Sequence, residues 1–369
     1  MQLIPALRGG GAERCVVQTA TAVRQQGWSS LVVSAGGGLV QELIDSGVSH
    51  QSLPVGGKSP LTLLVVPQLR QLLLRERVRL VDVHSRVPAW LLRLTLATLP
   101  AADRPRVVTT VHGLNRPGIW SQVMTRGDRV IAVSETTQRH LFRIAPGMEQ
   151  RRIQVIPRGV DADEFPAAFT APDVWRRSFL EEFPGAAGRR LLLFPARMSR
   201  SRGQQEFLQL IAELVTGGEQ VFGLLSGDSS RHPRYVASLR KLADQLGIGR
   251  HVAIAQQRAD MRELYAAADI VLSLPVQAES FGLVVAEALS MGRPTVAWDQ
   301  GGAGEQLQKC WPAGAVPPGD RKALLSVVQQ ILQGRIAAPQ AGCLQSLHQT
   351  LEQTLQVYRE LLEPSRTAP

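Results

Sequence analysis

Short apolar runs rich in β-branched residues alternate with helix-like stretches along the whole chain, and the alternation occurs twice. Such a rhythm specifies parallel sheets covered by helices on both faces. The first series contains Gln2–Leu7, Leu31–Ser34, Gln51–Pro54, Leu80–His84, Arg106–Val111, Arg129–Ser134 and Ile153–Pro157 as strands. Its helices include Leu61–Arg77, Val87–Leu99 and one capped by Ser134-Glu-Thr-Thr137. Residues 158–184, rich in Pro, Asp and Phe, read as a connection with a short helix. The second series then runs through Leu191–Phe194, Val221–Leu225, Val252–Ala255, Ile270–Leu274 and Pro294–Trp298. Each series opens on a glycine turn: Gly9-Gly-Gly11 in the first, Gly203 in the second. The expectation is an α/β chain of two Rossmann-like doubly wound domains facing each other across a cleft. The boundaries expected are 1–165, 166–345, and a C-terminal helix over 346–369 that crosses back to the first domain.

Composition narrows the class. The chain has 369 residues, 44% hydrophobic and 20% charged, which is globular rather than disordered. Three cysteines stand far apart with no C-x-x-C, so the sequence suggests a reducing, cytoplasmic setting, with no disulfide framework and no zinc site. No basic-then-apolar leader and no apolar run of about 18 residues is visible, so neither a signal peptide nor a spanning helix is expected. The net charge is +10, and residues 1–165 carry 20 Lys+Arg against 12 Asp+Glu. That basic half is expected to meet an acidic acceptor or, peripherally, the inner face of an anionic membrane through Arg70, Arg75, Arg77, Arg79 and Arg93. Nucleic acid is disfavoured: aromatics are 5% and no nucleic-acid-binding module matches.

Chemistry concentrates at one strand–loop–helix junction, Glu279-Ser-Phe-Gly-Leu-Val-Val-Ala-Glu287. A helix start offers unpaired amides and the positive end of a dipole, which suits a phosphate. Gly282 removes the side chain that would hold a phosphate off. Glu287, among Val284, Val285, Ala288 and Leu289, needs donors, and sugar or ribose hydroxyls would supply them. His84 and His112 end two strands of the first series, where open parallel sheets bind ligands.

These motifs, in this order, resemble the retaining glycosyltransferase family 4 (GT4), of GT-B fold, over nearly the whole chain. The E-x-F-G-x-x-x-x-E element is similar to Glu279–Glu287, and R-x-x-x-x-K-G to Arg197–Gly203. Gly10-Gly-Ala-Glu-Arg14, His112-Gly113, Val130-Ile-Ala-Val-Ser-Glu135, Val155-Ile-Pro-Arg-Gly-Val-Asp161 and Met291–Val296 with Gly301, Gly302 and Glu305 resemble further family elements. The flavour is that of bacterial lipopolysaccharide and cell-envelope enzymes. The resemblance implies a nucleotide-diphosphate-sugar donor, a glycan or glycolipid acceptor, and no cofactor. Glu287 would then bind ribose, and Glu279 the donor sugar. The amides of Gly10, Gly11 and Phe281, Gly282, Leu283 and Val284 would line the diphosphate. Arg197 and Arg202 would neutralise it as it leaves, and His112 would contact the sugar near the reacting carbon. No D-x-D pair lies at a strand end, so metal-independent transfer is expected. Arg202 replaces the family's usual Lys, and Arg158 a commoner Asn. Rival readings are a sugar-nucleotide epimerase of the same fold and a catalytically silent sugar-nucleotide-binding protein. The base, the sugar and the acceptor are not specified by these residues.

Overall fold

The computed structural model describes residues 1–57, 59–167, 169–230 and 232–363. It divides into two compact units, one formed by Met1–Arg158 with the chain from His348 onward, the other by Gly159–Leu347.

In the first unit seven strands form one parallel sheet: β1 Gln2–Leu3, β2 Leu31–Ser34, β3 Ser49–Ser52, β4 Leu80–Val83, β5 Arg106–Val111, β6 Arg129–Ala132 and β7 Ile153–Val155. Their order is β3-β2-β1-β4-β5-β6-β7, so the sheet reverses direction of growth at β1 and β4. Leu3 lies opposite Val33 on one side and Val83 on the other. Strands flanked by helices bury both faces, which is why β4 reads Leu-Val-Asp-Val without alternation and all four residues are buried. The helix Leu347–Leu362 joins this unit through Leu355, Val357 and Tyr358, which pack with Leu80, Val108 and Ile131.

The second unit carries β8 Arg190–Pro195, β9 Val221–Ser226, β10 Val252–Ala255, β11 Ile270–Ser273, β12 Thr295–Trp298 and β13 Ala315–Val316. All pairings are parallel, in the order β10-β9-β8-β11-β12-β13. Leu192, Phe194, Phe207, Leu225 and Leu272 form its fully buried centre.

Cysteine spacing misled on one point. Cys310 and Cys343, expected to be unpaired, form a disulfide with their Cα atoms 5.6 Å apart. A separation of 33 residues says nothing about distance once the chain turns back. Here it returns because Ile336 and Leu344 pack against Trp311 and Leu307, and the Trp311 indole donates to the carbonyl of Ala337 at 3.0 Å. Cys15 remains a free thiol. Among the described residues, no helix is long and apolar enough to cross a membrane.

Candidate functional site

The second unit builds its site at the carboxyl ends of β8 and β11, which are hydrogen-bonded neighbours. The loop leaving β8 is pinned from below. Gln204, fully buried, donates from its amide nitrogen to the Arg197 carbonyl at 2.8 Å and accepts from the Tyr235 hydroxyl at 3.2 Å. Met198 donates its N–H to Asp228, and Val276 donates to Ser201, tying the loop to the ends of β9 and β11. Gly203 sits at φ +84, and a Cβ there would collide with the carbonyl of Leu274. The glycine therefore allows the loop to close onto β11.

This scaffold presents two guanidinium groups. Arg197 is exposed and Arg202 partly buried. Arg202 is held below its ordinary pKa by burial first and by the neighbouring charge of Arg197 second. It donates to the carboxylate of Glu279, which leaves β11 on the adjoining loop. The sequence elements around Arg197–Gly203 and Glu279 are thus joined by a direct ion pair.

Gly282 follows at φ +86, where an added Cβ would lie 2.9 Å from the Cβ of Ala303. The helix Leu283–Ser290 begins at the next residue. Leu283 and Val284 are its first two residues, so their amides have no partner within the helix. Phe281 is buried, and its carbonyl accepts from Gln306 at 2.6 Å. Glu287 is one turn further along. Its Oε2 accepts from the Tyr265 hydroxyl at 2.7 Å. Tyr265 is fully buried, and burial together with the Glu287 charge drives its pKa well above the ordinary value of 10. The carboxylate that was expected to wait for ligand hydroxyls thus has a protein donor on one oxygen.

The first unit places its candidates at the carboxyl ends of β1, β4, β5 and β7. Gly10 precedes the helix Gly11–Gln25. The amides of Gly9 and Gly10 donate to Glu13 Oε2 at 2.6 and 3.0 Å. Gly10's amide, expected to face a diphosphate, is therefore given to a carboxylate of its own helix, and Gly11 starts that helix. His112 ends β5 and stacks on His84, which ends β4, with ring centroids 5.2 Å apart. His84 Nδ1 and His112 Nε2 are 2.9 Å apart, His84 Nε2 lies 3.0 Å from Gln2 Oε1, and an Arg158 amino group lies 2.7 Å from His112 Nδ1. Burial lowers the pKa of His84, and drives that of His112 well below 6.5 with help from the Arg158 charge.

Asp82, 1% exposed, lies beneath this pair. It accepts from Thr110 Oγ1 at 2.9 and 3.0 Å and from the Tyr358 hydroxyl at 2.5 Å. Sequence reasoning passed over Asp82, Tyr358, Tyr265 and Gln2. One signal was available: an acid inside an otherwise apolar strand must be paired, so Asp82 in Leu-Val-Asp-Val required buried donors. Nothing local to Tyr358 or Tyr265 named them as those donors.

Among the described residues, no group of three or more His, Cys, Asp or Glu side chains converges as a metal-ligand set.

Comparison with known proteins adds family and fold. Residues 9–164 match the family model described as Glycosyltransferase Family 4, and residues 189–334 that described as Glycosyl transferases group 1. A curated relative from Xylanimonas cellulosilytica, a D-inositol 3-phosphate glycosyltransferase, is 32% identical over 57% of this chain and 48% of its own length. One of the same name from Mycobacterium tuberculosis is 32% identical over 49% of this chain and 36% of its own length. The chain therefore spans about half or less of the curated relatives it matches. Among solved structures, a glycosyltransferase from Rickettsia africae superposes with TM-score 0.86 at 24% identity, covering 99% of this chain and 98% of the other. Anabaena HepE, bound to UDP and glucose, gives 0.77 at 20% identity over 97% and 98%. WaaG, a glycosyltransferase involved in lipopolysaccharide biosynthesis, gives 0.67 at 15% identity over 97% and 94%. These likenesses establish the two-domain GT-B fold.

Proposed function

The chain belongs to the GT4-type glycosyltransferases, and on that premise we propose that it moves a sugar from a nucleotide-diphosphate-sugar to a glycan or glycolipid acceptor, with retention and without a metal ion. The observation that carries the reading is the rim of the second unit. Arg202 is paired to Glu279 and feels the charge of Arg197, next to a helix that begins at a left-handed glycine. Two guanidinium groups and the first-turn amides of Leu283 and Val284 supply fixed positive charge for a departing diphosphate. They do so without reorganising at the moment of bond breaking, which is where preorganised charge lowers the barrier most.

Glu287 accepts ribose hydroxyls while Tyr265 holds its other side. Glu279, oriented by Arg202, accepts hydroxyls of the donor sugar. Retention follows from departure and attack on one face of the sugar, since neither carboxylate is placed as a free nucleophile: each is already engaged by a buried or half-buried donor. The UDP and glucose bound by HepE suit such a donor, and the inositol phosphate named for the curated relatives suits an acidic acceptor on the basic first unit. Peripheral contact with an anionic membrane remains part of the proposal. Exposed Leu61 and Leu64, at 72% and 68%, stand in the same basic unit and support it, and vesicle flotation with and without anionic lipid tests it.

The decisive experiment incubates the protein with UDP-, GDP- and ADP-sugars in EDTA, with and without phosphorylated and glycolipid acceptors. Transfer with retained configuration supports the reading. Release of free nucleotide with an altered sugar and no acceptor would make it an epimerase, and tight binding without turnover a silent binding protein.

A further inference from the structure

We propose that Arg158 is a positioning residue that fixes the ring protons of His112 and His84 at the rim of the first unit, through a one-way hydrogen-bond chain from Arg158 to His112 to His84 to Gln2, so that His112 serves the transfer as an oriented neutral dipole and not as an acid or base. The role in transfer rests on the function proposed above; the proton positions do not.

The direction follows from donor and acceptor chemistry. A guanidinium has only donors. Facing it at 2.7 Å, His112 Nδ1 must offer a lone pair. The proton of neutral His112 is then on Nε2, which donates to His84 Nδ1 at 2.9 Å. His84 in turn carries its proton on Nε2 and donates to Gln2 Oε1 at 3.0 Å. Protonating either ring would set N–H against N–H: His112 against Arg158, or His84 against His112. The chain thus excludes the imidazolium form of both rings by geometry, and burial acts in the same sense.

An independent mark of this direction is found at its far end. Gln2 Nε2 is buried and has no partner among the described residues. Turning the amide over would bring that nitrogen to His84, but it would put a donor where the relay requires an acceptor. The amide keeps the orientation that leaves its own nitrogen unsatisfied, which is costly for a buried donor. Arg158 Nε is also buried without a partner, so the guanidinium lacks a full set of acceptors while its amino group faces His112.

Other titratable groups face this chain from each neighbouring element. Asp82 of β4 has a carboxylate oxygen 3.6 Å from His84 Nε2 and is already held by Thr110 and Tyr358. Burial and the charge of Asp82 raise the pKa of Tyr358, so it stays a donor. The Cys15 thiol, on the helix after β1, is pushed up by burial, with the charge of Arg158 opposing. The amino group of Met1 is lowered to about 6 by burial, against the attraction of Asp82. None of these replaces Arg158 as the donor to His112.

The test is a long-range proton–nitrogen correlation spectrum of the imidazole rings in the ¹⁵N-histidine-labelled full chain, between about pH 5 and 8. The expected result is that His84 and His112 show the Nε2–H pattern and do not titrate in that range. In Arg158→Asn the charge is gone and the shorter side chain no longer reaches His112 Nδ1, so His112 is expected to titrate with a pKa rising toward 6.5, the ordinary value. Arg158→Lys, which keeps both, restores the silent pattern. The pH profile of kcat should gain an acid limb in Arg158→Asn and lose it again in Arg158→Lys. An Nδ1–H pattern in the wild type, titration of its His112 near 6.5, or an Arg158→Asn spectrum unchanged from the wild type would overturn the proposal. The wild-type spectrum decides it even if Arg158→Asn fails to fold. It reads proton positions whether or not a sugar is turned over, so failure of the transfer reading appears separately as inactivity with an intact spectrum.

Discussion

Removing one oxygen, in Tyr265→Phe, probes the link between packing and donor binding in the second unit. The phenyl ring keeps its buried contacts, and the variant loses only the 2.7 Å hydrogen bond to Glu287 Oε2. A hydrogen bond to a charged group contributes about 1.5–3 kcal/mol. A unit the size of Gly159–Leu347 shifts its midpoint by about 2–4 °C per kcal/mol. Scanning calorimetry should therefore show that transition lowered by roughly 3–12 °C. Binding should weaken too, because Glu287 loses the donor that orients it. A loss of about 1.4 kcal/mol corresponds to tenfold in Kd, to be read by titration calorimetry with the sugar nucleotide that binds the wild type. A transition moved by less than 1 °C, with unchanged Kd, would refute the argument that Tyr265 supports this carboxylate.

Other consequences follow from the same structure. Tyr265 and Tyr358 both have folded-state pKa values above the ordinary 10, so the stability they confer is complete below pH 10 and is lost as pH rises through their folded values. Thermal midpoints measured from pH 8 to 12 should fall steeply only above about 10, and less steeply in Tyr265→Phe and Tyr358→Phe. Thiol titration of the unreduced, denatured chain should count one free sulfhydryl, and three after reduction; reducing the bond across 33 residues should cost the second unit about 3–4 kcal/mol. Three thiols before reduction would remove the disulfide. Gly203→Ala combines a left-handed backbone with a collision on Leu274, so chemical denaturation should show the second unit losing at least about 2 kcal/mol.

The sheets were legible because buried parallel strands announce themselves as β-branched runs. Leu31–Ser34, Arg106–Val111 and Val252–Ala255 have the bounds read from sequence. Strand ends elsewhere moved by a residue or more, as at Ser49–Ser52, where the apolar signal is weak and turn residues blur the limits. The two-residue strand Ala315–Val316 and the helix Val40–Asp45 were too short to show a period. The stretch Leu61–Arg77 read as one helix, but Pro60 and Ser59 start a tighter 3₁₀ turn before Val65–Arg75. In the site, Glu279, Arg202 and Glu287 could be named because motifs carry local spacing. Their partners could not: Tyr265 lies 22 residues from Glu287, and Tyr358 lies 276 from Asp82. Pairings set by tertiary packing leave no periodic trace, and the same reason hid the Cys310–Cys343 bond. Arg158 was noticed only as an unusual residue, since its acceptor, His112, is reached across the sheet.

The central claim is that the second unit holds a sugar nucleotide through Glu287, the helix start beside it and the arginines of the adjoining loop. Titration calorimetry of the wild type and of Glu287→Ala against UDP-, GDP- and ADP-sugars tests this most directly, with circular dichroism confirming that both are folded. The account predicts saturable binding of at least one sugar nucleotide by the wild type, weakened tenfold or more in the variant. Equal affinity in the two proteins, or no binding of any sugar nucleotide to the wild type, would contradict it.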